Sequence, residues 1–189
     1  KHMALTQTQV SQLFVVLFGR AGEGEGNRFW QQGADIATVA EAMLATSAAS
    51  TYFGTAIDDD ADFIKTIFEN TFGYHYTDSA DIAAGMDFWI DALNSNNYTR
   101  GQIVASMIES AATIQASAPT AASQQFTNRV NVANYMAENV ETPAADYATS
   151  TKFGVGLIVT SDTATVTAAK ASIDNTTAVA ETFTLTAGI

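Results

Sequence analysis

Cysteine is absent from the chain, which removes disulfides, zinc-thiolate sites and thiol nucleophiles together. Histidine is almost absent. Of the two, His2 sits in a Lys1-His2 pair ahead of Met3 that reads as an appended remnant, so Met3 is taken as the native start. His75 is then the one native histidine, which sets aside a zinc site of two or more histidines and a serine triad with it. Cations are scarce: eight Lys and Arg stand against 20 Asp and Glu, a formal charge of −12. A nucleic-acid backbone needs clustered cations to displace its counterions, and none cluster here. An anionic membrane surface would repel the chain as well, unless divalent cations bridged the two. Long apolar runs are missing too. Residues 13–18 stop at Gly19, too short for the core of a signal peptide, and nothing approaches the roughly 20 apolar residues that span a bilayer. The expectation is a soluble chain whose export, if it occurs, uses a signal outside these residues.

What the chain does have is one phrase stated twice. Leu13-Phe14, Phe18-Gly19, Gly26, Phe29-Trp30 and Met43-Leu44 return as Ile67-Phe68, Phe72-Gly73, Gly85, Phe88-Trp89 and Met107-Ile108. Gly19 and Gly73 are 54 residues apart, Trp30 and Trp89 are 59 apart, and Met43 and Met107 are 64 apart. The second copy therefore carries five extra residues in its loop and five more beyond its tryptophan. Duplication at such a period marks a structural unit repeated on itself.

Periodicity makes both copies helical. Val10, Leu13, Phe14, Leu17 and Phe18 form one apolar stripe behind Thr6 or Thr8, and Gly19 ends the helix. A short helix over 27–32 presents Phe29 and Trp30, Asp35 caps a helix carrying Val39, Ala40 and Met43, and a further turn spans 47–53. In copy two, Asp59 or Asp60 starts the helix of Phe63, Ile64, Ile67 and Phe68. Ser79 and Thr99 cap the next two. Pro119 is expected at a helix start, followed by one long helix over 121–139. A short helix is expected over 143–147, and Asp162 or Thr163 caps a last one through 173. From Glu181 to Ile189 polar and apolar residues alternate, the signature of a strand, read as the first edge of a β region that continues further. The predicted fold is an all-α multi-helix bundle: a duplicated region at 4–118 (copies 6–54 and 59–112), added helices at 119–177, and a β-like tail at 178–189.

Several marked residues carry two readings. Phe29-Trp30 and Phe88-Trp89 suit sugar stacking, but large aromatics at repeated sites point first to core anchors. The Gly22–Gly26 loop carries two glutamates and no Walker lysine, so it is a connection rather than a phosphate cradle. The aspartates at 58–60 and 62 could bind calcium, yet they lack the EF-hand glycine and glutamate, and helix capping is favoured. No pair among the 20 acids stands out for glycoside hydrolysis. Tyr74-His75-Tyr76, in the enlarged loop, suits either binding a glycan or partner, or packing on itself.

Leu17-Phe18-Gly19-Arg20, Gly26 and Phe29-Trp30 resemble the repeated motif of a bacterial domain of unknown function found in type I-secreted proteins with calcium repeats. Together with Gly22–Asn27, Phe126–Tyr135, Asp162–Ile173 and Phe183–Ile189, the layout is similar to the N-terminal domain of Campylobacter-type surface-layer (S-layer) proteins. The resemblance implies a non-catalytic, extracellular anchor that binds lipopolysaccharide. It also implies self-association in a lattice through the full-length protein, and secretion without an N-terminal signal peptide. Tyr74 replaces Arg20 in copy two, so the copies need not share a binding role. The expected glycan contacts are Arg20, Asn27, Arg28, Tyr74, His75 and Tyr76, with the two arginines meeting phosphates or acidic sugars. No catalytic residue, metal ligand or cofactor is assigned, although calcium could bridge the acidic surface to an anionic glycan. The alternative is a structural protein-protein assembly module of a lattice or adhesin.

Overall fold

A computed structural model of the chain describes the backbone of residues 5–142 and 158–187, and the side chains of 5–142 and 158–175. Among the described residues there are nine α-helices, one 3-10 turn and no strand. The helices are α1 (Gln7–Phe18), α2 (Gly24–Trp30), α3 (Ile36–Leu44), α4 (Ser47–Phe53), α5 (Asp60–Phe72), α6 (Ala80–Asn94), α7 (Arg100–Ser117), α8 (Ala121–Asn139) and α9 (Thr163–Ala187), with the 3-10 turn at Gly54–Asp58. The fold is all-α, as the periodicity implies. The expected helix over 143–147 lies outside the described residues.

The helix starts follow their caps. Thr6 accepts from the Gln9 amide at 3.1 Å while the Gln9 side chain accepts from the Thr6 amide at 2.9 Å, and Thr99 with Gln102 repeats the arrangement at α7. Asp35, Asp59 and Ser79 each accept from an amide three residues on. At the far ends of α1 and α5, Gly19 and Gly73 sit at φ 59° and 73°, the left-handed conformation that closes a helix.

From Leu13 to Leu17 helix α1 is covered on all sides. Val10, Leu13, Val15, Val16 and Leu17 are fully buried, not merely the one stripe that the periodicity picks out. The reason is that α2, α3, α5, α7 and α8 all pack around it.

The two copies pair through equivalent helices, α1 on α5 and α3 on α7. Equivalent residues meet at each crossing. The Asn70 side chain donates to the Val16 carbonyl at 3.0 Å, and these residues are 54 apart, like the glycines. A Cβ on Gly101 would stand 2.2 Å from the Ala37 carbonyl oxygen, and these are 64 apart, like the methionines. When a position touches its own duplicate, the two units are related by an approximate two-fold axis. The aromatic pairs repeat as well: Phe29–Trp30 at 5.0 Å and 85°, Phe88–Trp89 at 5.1 Å and 83°.

Three expectations change. The tryptophans are half-buried against the core, but Phe29 and Phe88 are 60% and 63% exposed, so only one ring of each pair is an anchor. Consecutive helical residues point about 100° apart, and one of the two must face outward. Helix α2 begins at Gly24, not Asn27, because the Gly24 and Glu25 amides find acceptors in the carbonyls of Val140 and Glu141, at 2.8 and 3.1 Å. Pro119 precedes the cap Thr120 instead of occupying the first helical position. Helix α9 is described along its backbone through Ala187.

One buried cation joins the added helices to copy two. Arg129 of α8 donates to the carbonyls of Asn70 (2.7 Å) and Glu69 (3.3 Å) at the end of α5, and to Val159 (3.0 Å) ahead of α9. Burial lowers its pKa to about 10. Its fork supplies donors to carbonyls that a helix end otherwise leaves open.

Two outcomes are expected in chemical denaturation. Gly101→Ala pushes α7 off backbone that cannot yield and costs about 1–3 kcal/mol, whereas Gly85→Ala, with nothing within 4 Å of its new methyl, gains about 0.5–1 kcal/mol. Arg129→Ala costs about 3 kcal/mol by stranding buried carbonyls, and Arg129→Lys recovers only part of it.

Candidate functional site

The six residues singled out from the sequence do not form one site. Tyr74, His75 and Tyr76 follow α5, and each contacts a flanking helix. The Tyr74 ring lies 5.6 Å from Phe72. His75 sits 3.2 Å from a Glu69 carboxylate oxygen, and its backbone amide donates to Asp78 at 2.8 Å. The Tyr76 hydroxyl donates to the Asp87 carboxylate at 3.0 Å, which raises its pKa, and Lys65 lies 4.5 Å over its ring. These contacts hold the loop against α5 and α6 while the His75 side chain stays 57% exposed.

Arg20 spans the start of its own loop, donating to the Ala21 carbonyl at 3.0 Å and to Glu23 at 3.2 Å. Asn27 is 1% exposed. Its side chain donates to the Gln7 carbonyl and the Ser11 hydroxyl, both at 3.3 Å, and accepts from Gln31 at 2.7 Å. Burial here is a property of the repeat, since Met86, 59 residues on and fully buried, holds the same place in copy two. Asn27 therefore fastens α2 to α1.

Asn27 and Arg28 do reach a common feature, an open cleft of about 500 Å³ between α2 and the end of α8. Gln7, Arg28, Gln31, Asn139 and Glu141 line it, so hydrogen-bonding side chains dominate its walls. Docking is tight at its base: a Cβ on Gly24 would lie 2.6 Å from the Ala137 carbonyl. Arg28 donates to Glu141 across the cleft, with the two side chains 59% and 62% exposed. Gln7, Gln31, Asn139 and Glu141 were not legible as site residues. Glu141 lies 113 residues from Arg28, and only the docking of α2 on α8 joins them.

The electrostatics of the cleft are self-contained. The hydrogen bond from Arg28, helped by its charge, holds the Glu141 carboxyl below its ordinary value against a smaller effect of desolvation. Arg20 and Arg28 thus both hold carboxylates, and an incoming phosphate would have to displace them. Sugar hydroxyls, which donate and accept, need no such exchange. Elsewhere, Asp59 caps α5 and Asp60 accepts from Arg100 at 2.9 Å, so the aspartate run serves the helix start. No group of three or more acidic, histidine or cysteine side chains able to hold a metal ion occurs among the described residues.

The Arg28–Glu141 pair sets a pH dependence. Because the folded pKa of Glu141 is depressed, the pair's contribution is present above about 4.5 and is lost as pH falls through the lower folded value. Carboxyl NMR should show Glu141 titrating below the ordinary glutamate range, and Arg28→Ala should return it there.

No curated protein and no solved structure matches the chain. Residues 40–116, from the middle of α3 to near the end of α7, match the domain of unknown function DUF4214, which is found in bacterial surface-associated proteins.

Proposed function

We propose that this chain is a non-catalytic module that anchors an exported surface-layer protein to the outer membrane by binding the glycan of lipopolysaccharide. The observation that carries it is the cleft between α2 and α8, walled by amide, guanidinium and carboxylate groups, with one cation, Arg28, among two carboxylates, Glu138 and Glu141. Such a surface suits a hydroxyl-rich, uncharged polymer better than a phosphorylated one, so the O-polysaccharide is its target rather than the lipid-proximal core. A net charge of −12 adds to that preference, since it repels anionic sugars at long range. No described helix is long and apolar enough to cross a membrane, and attachment through a glycan requires none.

A second function, protein-protein assembly in a lattice, draws on a different feature. Phe29 and Phe88 stand out of the surface at duplicated positions, and exposed aromatics are enriched at protein interfaces.

Cosedimentation separates the two. The chain is expected to pellet with lipopolysaccharide carrying full O-polysaccharide and not with the truncated form, and an Arg28→Ala, Gln31→Ala double variant should weaken binding about tenfold. Pelleting on both forms alike, or on neither, would defeat the glycan assignment. Concentration-dependent oligomers in sedimentation velocity, abolished by Phe29→Ser with Phe88→Ser, would favour assembly.

A further inference from the structure

Copy two differs from copy one by two insertions, and the second has a visible structural product. Helix α2 ends at Trp30, whereas α6 runs on past Trp89 through Ile90–Asn94, five residues longer. Those are the five residues by which the repeat spacing grows from 59 at the tryptophans to 64 at the methionines. The extension carries the connection to α7 away from the core and holds it in a fixed turn. The Ser95 amide donates to Asp91 at 2.9 Å, the Asn96 amide donates to Leu93 at 3.0 Å, and Asn96 takes φ 58°. Behind this turn opens a cleft of about 410 Å³, lined by Glu41, Leu93, Asn96, Asn97, Tyr98 and Arg100 among others.

The charged groups of this cleft are occupied. Arg100 donates to Asp60 at 2.9 Å and to the Ile57 carbonyl at 2.5 Å, with its guanidinium 4.3 Å over the Phe63 ring. Glu41 accepts from the Gly101 amide at 3.2 Å. Open to a ligand, beside the exposed Glu41 carboxylate, are neutral groups: the amides of Asn96 and Asn97, and Tyr98. The Tyr98 ring is 47% exposed and braced edge-on by Trp89 at 6.2 Å and 76°. Positions 64 residues earlier hold Gln32, Gly33, Ala34 and Ile36, with no aromatic and one amide. The shared scaffold therefore does not require Asn97, Tyr98 or Arg100.

We propose that this cleft is a second glycan subsite, specific to copy two, that takes a neutral pyranose unit. The apolar face of the sugar lies on Tyr98, and the side-chain amides of Asn96 and Asn97 bridge adjacent hydroxyls, each amide offering a donor and an acceptor. Its volume falls within the range of small-ligand sites and accommodates one or two sugar units. The inference deepens the glycan-anchoring function and rests on it for ligand class. It adds a second point of attachment on one polymer, where the second contact is effectively intramolecular.

The test is a titration of the ¹⁵N-labelled full chain with four neutral oligosaccharides: malto-, cello-, chito- and manno-hexaose. At least one should shift the amides of residues 96–102 and the Trp89 indole. Tyr98→Ala should then weaken that binding about tenfold, while Tyr98→Phe stays within about threefold because the ring is kept. Both variants should unfold at the wild-type denaturant midpoint, since Tyr98 is exposed. No shift with any of the four, or unchanged binding by Tyr98→Ala, overturns the subsite. Shifts confined to Gln7, Arg28 and Asn139 overturn it too, but leave the α2–α8 assignment standing. Loss of lipopolysaccharide cosedimentation in Arg28→Ala, Gln31→Ala with the 96–102 shifts intact shows the two sites to be separate, as proposed.

Discussion

Between Gln7 and Phe18 seven residues are buried, including the consecutive run from Leu13 to Leu17. A helix with so little polar surface is stable only if other elements remove it from water on every side, and each neighbour of α1 can be understood by that need. Helix α5, its own duplicate, covers one flank. Helices α3 and α7 cover another as a pair. The remaining side falls to α8, which belongs to neither copy. The duplicated region is therefore not self-sufficient: the added C-terminal helices complete the cover of its central helix.

The approximate two-fold axis imposes a second constraint. Where a position faces its own duplicate, identical side chains can meet across the axis, but here the copies use different residues. Val16 faces Asn70, whose amide satisfies the Val16 carbonyl while its oxygen accepts from Tyr52 at 2.9 Å. Ala37 faces Gly101, and only the missing Cβ lets α7 approach. Sequence divergence between the copies is thus concentrated partly where packing demands it. The α6 extension also serves packing, since Leu93 is buried in the core, whereas the Asn96–Tyr98 turn stays exposed, which makes it the natural place for a copy-specific role.

Both proposed binding clefts fall at the edges of the repeat. The α2–α8 cleft exists because the open amides at the start of α2 are met by the carbonyls that follow α8. The Tyr98 cleft exists because α6 overshoots its counterpart. In both, one arginine stands among two carboxylates, Glu138 and Glu141 in the first and Glu41 and Asp60 in the second, which suits hydroxyl-bearing ligands better than anionic ones.

The helices, their caps and the duplication were legible in the sequence, because 3.6-residue periodicity, a Thr, Ser or Asp start and a glycine stop are local signals. Which of two adjacent aromatics faces inward was not, since Phe29 and Trp30 are equally apolar and only the position of the core relative to α2 chooses between them. Asn27 read as an exposed polar residue, yet its place in the repeat is a buried one, filled by Met86 in the other copy. Arg129 lay unmarked inside an amphipathic helix, because the carbonyls that hold it come from α5 and from the segment before α9. Composition and local pattern determined what elements this chain forms. Which polar groups meet across 60 or 113 residues was decided only when the helices packed, because hydrogen bonds between distant segments leave no periodic trace in either one.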